Sequence, residues 1–243
     1  MKRSGFILSI IFFSAIFIAI CLILGFFSLK ILGTDKEKHV AAEPETFTVI
    51  IDAGHGGEDG GAIGIDGRTV EKDVNLSVSL YLGRLLEAEG INVIYTRTED
   101  ILLYDRNVDY NGRKKTLDLQ ARLKIAQNNP NALFVSIHMN AFGDSKYSGM
   151  QVYYSDSADG GQLLADNIQK MSRFLAPNND RKIKKANSSI FLLNRAPGVA
   201  VLVECGFLSN YEECSLLSSD DYQKKVAFAV FRGIMNYKDE KTS

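Results

Sequence analysis

The sequence predicts an α/β fold with a mostly parallel, mixed sheet of about six strands flanked by helices. Three observations carry that expectation. Uninterrupted apolar runs such as Val49-Ile50-Ile51 and Val199 to Val203 are short enough to be strands and apolar enough to be covered on both faces. Longer segments with apolar residues at helical spacing alternate with these runs. Strand-then-helix alternation is the signature of crossover connections, and therefore of parallel pairing.

Taken in order, the first strand runs from Phe47 to Asp52 and feeds a glycine turn, Gly54-His55-Gly56-Gly57. Thr69 is placed to cap a helix over Val70 to Glu89, with Val74, Val78, Tyr81 and Leu85 as its apolar stripe and Gly90 as its stop. Ile91 to Tyr95 reads as a second strand, and Thr96 to Lys115 as a long polar loop with mixed charges. A loop of that length is expected to serve function rather than connection, so replacing Leu102 to Asn111 should cost little stability. Thr116 is placed to cap the next helix, whose inner face is Leu119, Leu123 and Ala126; Pro130 and its neighbours end it.

Ala132 to Ile137 is a strand that ends at His138, and Met150 to Tyr154 is another. Ala158 to Leu175 is helical, with Leu164, Ile168, Met171 and Leu175 in register, and Pro177 stops it. The basic stretch Arg181 to Lys185 reads as a solvated loop. Ile190 to Leu193 is expected to be a short strand, and Val199 to Val203 a buried one ending at Glu204. Asn210 and Glu213 form a capping pair before the last helix, Asp220 to Asn236, whose inner face is Tyr222, Val226, Val230 and Ile234.

With 243 residues, 46% hydrophobic, the chain can hold one sizeable globular domain. Its net charge of −1 carries no basic excess, so no nucleic-acid partner is expected. Three cysteines, of which Cys21 lies in the N-terminal apolar run, exclude a disulfide framework. That run, Gly5 to Leu29, follows Lys2 and Arg3 and is closed by Lys30. Roughly 20 apolar residues cross a bilayer, so the run predicts a transmembrane helix with everything after it outside the cytoplasm. The expected organisation is a membrane anchor over residues 1–30, a linker over 31–46, a catalytic domain over 47–238 and a short tail over 239–243.

His55, His138 and Glu204 stand at the ends of three predicted buried strands, and strand ends in such a sheet converge on one crevice. Glu71 opens the helix after the first strand, at the same edge. Each has a plain reading alone: a hydrogen-bonded histidine, or a carboxylate favoured in a first helical turn. Glu204 is harder to explain that way, because a carboxylate among valines is costly to bury without a partner. Two histidines and a carboxylate with an open position suit a catalytic zinc ion, and a further carboxylate suits a general base.

Asp52-Ala53-Gly54-His55-Gly56-Gly57, Glu71, Ser136-Ile137-His138-Met139-Asn140-Ala141 and Val203-Glu204-Cys205-Gly206-Phe207-Leu208-Ser209-Asn210 together resemble the zinc-dependent N-acetylmuramoyl-L-alanine amidases, the amidase type 3 family. The resemblance covers roughly Phe47 to Tyr237. Arg113-Lys114-Lys115-Thr116, Leu119-Gln120-Ala121-Arg122 and Asn187 to Leu193 are most similar to its spore-cortex, germination-specific branch. The resemblance implies one Zn2+ per chain held by His55, Glu71 and His138, with Glu204 as the catalytic carboxylate. It also implies a peptidoglycan substrate cut between N-acetylmuramic acid and L-alanine, in the cortex maturation that forms muramic-δ-lactam, and leaves room for an accessory envelope protein as activator. Asp52 is expected to orient one ligand histidine. Two rivals remain at this level: a non-catalytic amidase-like module that grips peptidoglycan, and a cysteine hydrolase pairing Cys205 with His138.

Overall fold

Alternate residues of three neighbouring strands go to opposite faces of one sheet, and the two faces are covered very unequally. In the computed structural model, which describes residues 16–24, 46–107 and 110–242, the sheet has six strands in the order β2-β1-β3-β6-β4-β5. These are β1 (Thr48–Ala53), β2 (Asn92–Tyr95), β3 (Leu133–Asn140), β4 (Gln151–Tyr154), β5 (Lys184–Lys185) and β6 (Ala200–Phe207). The pairs β1–β2, β1–β3, β3–β6 and β4–β5 are parallel, and β4 runs antiparallel to β6, which makes the sheet mixed. The helices are α1 (Glu71–Ala88), α2 (Lys114–Asn128), α3 (Gly161–Leu175), α4 (Tyr211–Leu217) and α5 (Asp220–Thr242).

Val49, Ile51, Val135, Ile137, Val201 and Val203 face the thick side, where Val78 and Leu82 of α1, Leu164 and Ile168 of α3, and Val226 and Val230 of α5 bury them. Each fully buried branched side chain there contributes about 1.5–3 kcal/mol relative to exposure. Ile50, Phe134, Ala200 and Leu202 face the thin side, covered by Ala126 of α2 and by Leu192, Leu193 and Ala196 of an irregular segment. Continuing the two-residue period of the thin side reaches Asp52, Ser136, His138 and Glu204 at the carboxyl ends of β1, β3 and β6. The polar residues therefore emerge together where the thin cover stops.

Several element boundaries differ from expectation. Ile190 to Leu193 forms turns, not a strand; Asn194 donates from both its backbone N and its side chain to Ile190 O, which curls the chain. The sixth strand comes instead from Lys184–Lys185 inside the basic stretch, paired with Tyr153 and Tyr154. Thr69 does not cap α1, because its hydroxyl donates to Asp66 Oδ2 at 2.7 Å. Thr116 lies within α2, which begins two residues earlier. Asn210 does cap α4, accepting from Glu212 N and Glu213 N, while Glu213 turns to Phe207 N and Gly149 N. The last helix runs on to Thr242, through residues expected to form a tail. Cys205 and Cys214 are buried and unpaired.

Thr46–Ser243 forms one unit. The expected anchor over residues 5–29 lies outside the described residues except for 16–24, which are helical with exposed side chains. Among the described residues, no helix is long and apolar enough to cross a membrane.

Candidate active site

β1 leaves the sheet through a turn that only glycine-rich sequence can make. His55 itself adopts φ 60°, a left-handed conformation costly for a side chain with a Cβ, and Gly56 and Gly57 follow at φ 141° and 53°. Two buried arginines hold this turn by its carbonyls. Arg122 donates through Nη1 to Ala53 O and through Nη2 to His55 O, both at 2.7 Å. Arg97 donates through Nε to Ala53 O at 2.9 Å and through Nη2 to Gly54 O at 3.0 Å. The guanidinium fork suits this task, since it presents several donors in fixed directions.

The turn aims His55 at Glu71. Glu71 Oε1 lies 3.3 Å from His55 Nε2 and 3.0 Å from His138 Nδ1, and the ligand atoms of all three residues fall within 4.8 Å of one another. The backbone fixes the carboxylate as well: Ala62 N donates to Oε2 at 2.8 Å and Met139 N to Oε1 at 3.2 Å. Burial pushes the Glu71 carboxyl up, but His138 and His55 outweigh it and hold the group ionised, well below the usual range. On its other side His55 places Nδ1 2.9 Å from Asp59 Oδ2, in ion-pair range though not aligned as a hydrogen bond. Burial works against His55's proton, yet Glu71 and Asp59 together raise its pKa.

Glu204 sits beside His138 in the β3–β6 register, directly before the register shifts between His138 and Asn140. Irregularities of this kind re-aim side chains next to active sites. Its Oε2 is buried without a hydrogen-bond partner among the described residues. Burial, with the Glu71 charge adding to it against the pull of His138 and His55, raises the carboxyl to about 7. A group poised there can exchange a proton at neutral pH. His55, His138 and Glu204 open on a cleft of about 270 Å3 that Leu119, Ile190 and Phe191 also line.

The structure thus brings together all four predicted site residues, but not Asp52 as expected. Among the described residues Asp52 makes no hydrogen bond to a histidine nitrogen; it accepts from Ser136 Oγ at 2.6 Å, Arg122 Nη1 at 2.7 Å and Thr96 Oγ1 at 2.8 Å. It anchors the arginine, and the carboxylate that faces Nδ1 of His55 is Asp59. The loop after β2 also differs from expectation. Arg97 and Leu102 are buried, and Leu103 N donates to Asp118 Oδ1 at 2.8 Å. Asp100 Oδ1 accepts from Gly57 N at 2.7 Å, so the start of the loop braces the turn, and replacing Leu102 to Asn111 would remove the buried Leu102 and the bond from Leu103 N to Asp118. Cys205 is not a nucleophile: it is buried, and burial holds its thiol far above the neutral range.

One glycine is fixed by this geometry. A Cβ on Gly54 would lie 2.3 Å from the His138 ring, closer than any side chain tolerates. Gly54→Ala is therefore expected to leave the circular dichroism of the fold intact while displacing His138 and lowering metal content. Unchanged metal content in a folded Gly54→Ala variant would show that the ring has room to move.

Two histidines and an ionised carboxylate whose ligand atoms lie within 4.8 Å of one another, beside a buried spare carboxylate, form a donor set of the kind metal hydrolases use. The family model for N-acetylmuramoyl-L-alanine amidase matches residues 49–236, and the chain belongs to that family. It is 37% identical over 193 residues to the germination-specific N-acetylmuramoyl-L-alanine amidase of Bacillus subtilis (strain 168), covering 79% of this chain and 80% of that one. Among solved structures, it is similar to the CwlD amidase of Clostridioides difficile in complex with the GerS lipoprotein, at 41% identity and TM-score 0.75, covering 80% of this chain and 99% of that one. The catalytic domain of CwlV, an N-acetylmuramoyl-L-alanine amidase from Bacillus (Paenibacillus) polymyxa var. colistinus, is 32% identical at TM-score 0.67, covering 80% and 99% respectively. The chain is a peptidoglycan amidase by family, and it resembles the germination-specific and CwlD members.

Proposed function

We propose that the chain is a zinc-dependent amidase that cuts between the lactyl group of N-acetylmuramic acid and the L-alanine of the stem peptide during cortex maturation. The observation that carries the proposal is the convergence of His55, Glu71 and His138 around one point with the unpartnered Glu204 beside it. The donor set fits zinc: two imidazole nitrogens and a carboxylate held ionised leave a position open for substrate or water. Zinc, when bound, supplies the Lewis acidity that polarises the amide carbonyl and makes a water acidic enough to attack near neutral pH.

The rest belongs to the protein. His55 turns Nε2 toward Glu71, while the Asp59 carboxylate lies 2.9 Å from Nδ1. Glu204 accepts the proton of the attacking water and returns one to the departing alanine amine, so the C–N bond breaks with no net proton change on the carboxylate. A module that merely gripped peptidoglycan would have no use for a buried carboxylate without a partner. The N-terminal run over residues 5–29 is proposed to anchor the chain, with Lys2 and Arg3 on the cytoplasmic side and the catalytic unit in the cell envelope. An accessory envelope protein is proposed as a partner, because a relative 41% identical was solved with a lipoprotein.

Metal analysis of the purified chain tests the ligand set. About one zinc per chain is expected, and His55→Ala or His138→Ala should lose most of it, since two remaining ligands make a poor site. Full occupancy in both variants would overturn the assignment.

A further inference from the structure

A second recess opens one strand away from Glu204, on the same face of the sheet. Gln151 of β4 pairs with Glu204, Tyr153 pairs with Leu202, and Lys184 of β5 pairs with Tyr153. Paired residues share a face, so Gln151, Tyr153 and Lys184 continue the Glu204 face toward the sheet edge. Asn140, two residues beyond His138, and Phe207, three beyond Glu204, close the near end. The recess is about 320 Å3 and is floored by Arg181, whose Cζ lies 4.5 Å over the Phe207 ring. Arg181 is held there by bonds from Nε to Ser148 O at 2.6 Å and from Nη1 to Gln151 Oε1 at 3.3 Å.

The charge balance of this recess is one-sided. Its lining holds Arg181 and Lys184 and no carboxylate, whereas the cleft over the histidines sets Asp52, Asp59, Asp118 and Glu204 against Lys115 and Arg122. Lys185 pairs with Asp156, but Lys184 has no carboxylate partner among the described residues. A neutral glycan would gain little from two cations. An anionic peptide would gain a charge-assisted hydrogen bond.

We infer that this recess is the peptide side of the active site, and that Arg181 and Lys184 bind the free main-chain carboxylate of the residue that follows L-alanine. The inference rests on the amidase reading, which puts the alanine amine at Glu204. The next residue of the stem is a glutamate joined through its side-chain carboxyl, so its main-chain carboxylate is free or amidated. Amidation removes the charge that Arg181 and Lys184 would recognise.

The test is calorimetric binding of two product dipeptides, L-alanyl-D-glutamate and L-alanyl-D-isoglutamine, each with its side-chain carboxyl capped as the methylamide as it is linked in the stem, to the full chain loaded with zinc. The carboxylate form is expected to bind at least about tenfold more tightly. Lys184→Gln and Arg181→Gln should each reduce that preference. Lys184 is exposed and off the core, so its variant reads the charge without an effect on folding. Equal affinity for the two dipeptides, no binding of either, or a preference untouched by both variants overturns the inference. None of those results bears on the amidase reading, which stands or falls on hydrolysis of the muramoyl–alanine bond.

Discussion

Glu204→Gln should keep its zinc and lose roughly two to four orders of magnitude in turnover, the usual range for a positioned acid–base group. The amide is nearly the same size as the carboxylate, so the side chain still fits its buried place, and no hydrogen bond to Oε2 is lost. What disappears is the ability to take and return a proton at a group that burial has raised to about 7. Metal content and kcat measured on the same preparation decide the role. A metal-free variant would place Glu204 among the ligands instead.

Arg122→Met is expected to be the most damaging substitution away from the site itself. The guanidinium is 1% exposed and joins Asp52, Asp118, the Ala53 and His55 carbonyls and the start of β1's turn. Burial penalises both Arg122 and Asp52, yet each holds the other charged: Asp52 keeps the arginine's pKa high, and the arginine with Ser136 keeps the carboxyl low. Removing one partner leaves two buried carboxylates facing no cation but Arg97, a loss of about 3–5 kcal/mol. That is a large part of the stability of an ordinary domain, about 5–15 kcal/mol. Urea unfolding of Arg122→Met and Arg122→Lys measures it; the lysine keeps the charge but not the fork and should fall between. A loss below about 1 kcal/mol in the methionine variant would mean that Arg97 can take over the network.

Much of the site was legible because the chemistry of its residues conflicts with their surroundings. Glu204 among valines and His138 after an apolar run are residues that burial disfavours unless something compensates, and both lie on the sheet face that the cleft opens onto. The arginine network was hidden by the same polarity. Arg97 reads as loop charge, and Arg122 as a helix surface residue. The readable signal for Arg122 was its place on the inner face between Leu119 and Ala126, four residues after Asp118. Asp59 gave no signal, since an aspartate after two glycines is ordinary turn sequence. The stretch 190–193 reads as a strand because its residues are apolar. Their burial is real, but side-chain amides from Asn194 satisfy its backbone, and local bonds of this kind compete with strand pairing.

The central claim is that this chain hydrolyses the muramoyl–alanine amide through a metal held by His55, Glu71 and His138. The most direct measurement is the appearance of new alanine amino termini when the full chain acts on peptidoglycan, followed before and after chelation and after zinc is restored. The account predicts alanine termini that appear with the loaded protein, stop on chelation and return with zinc. Release of a different amino terminus, or alanine release that chelation leaves unchanged, would contradict it.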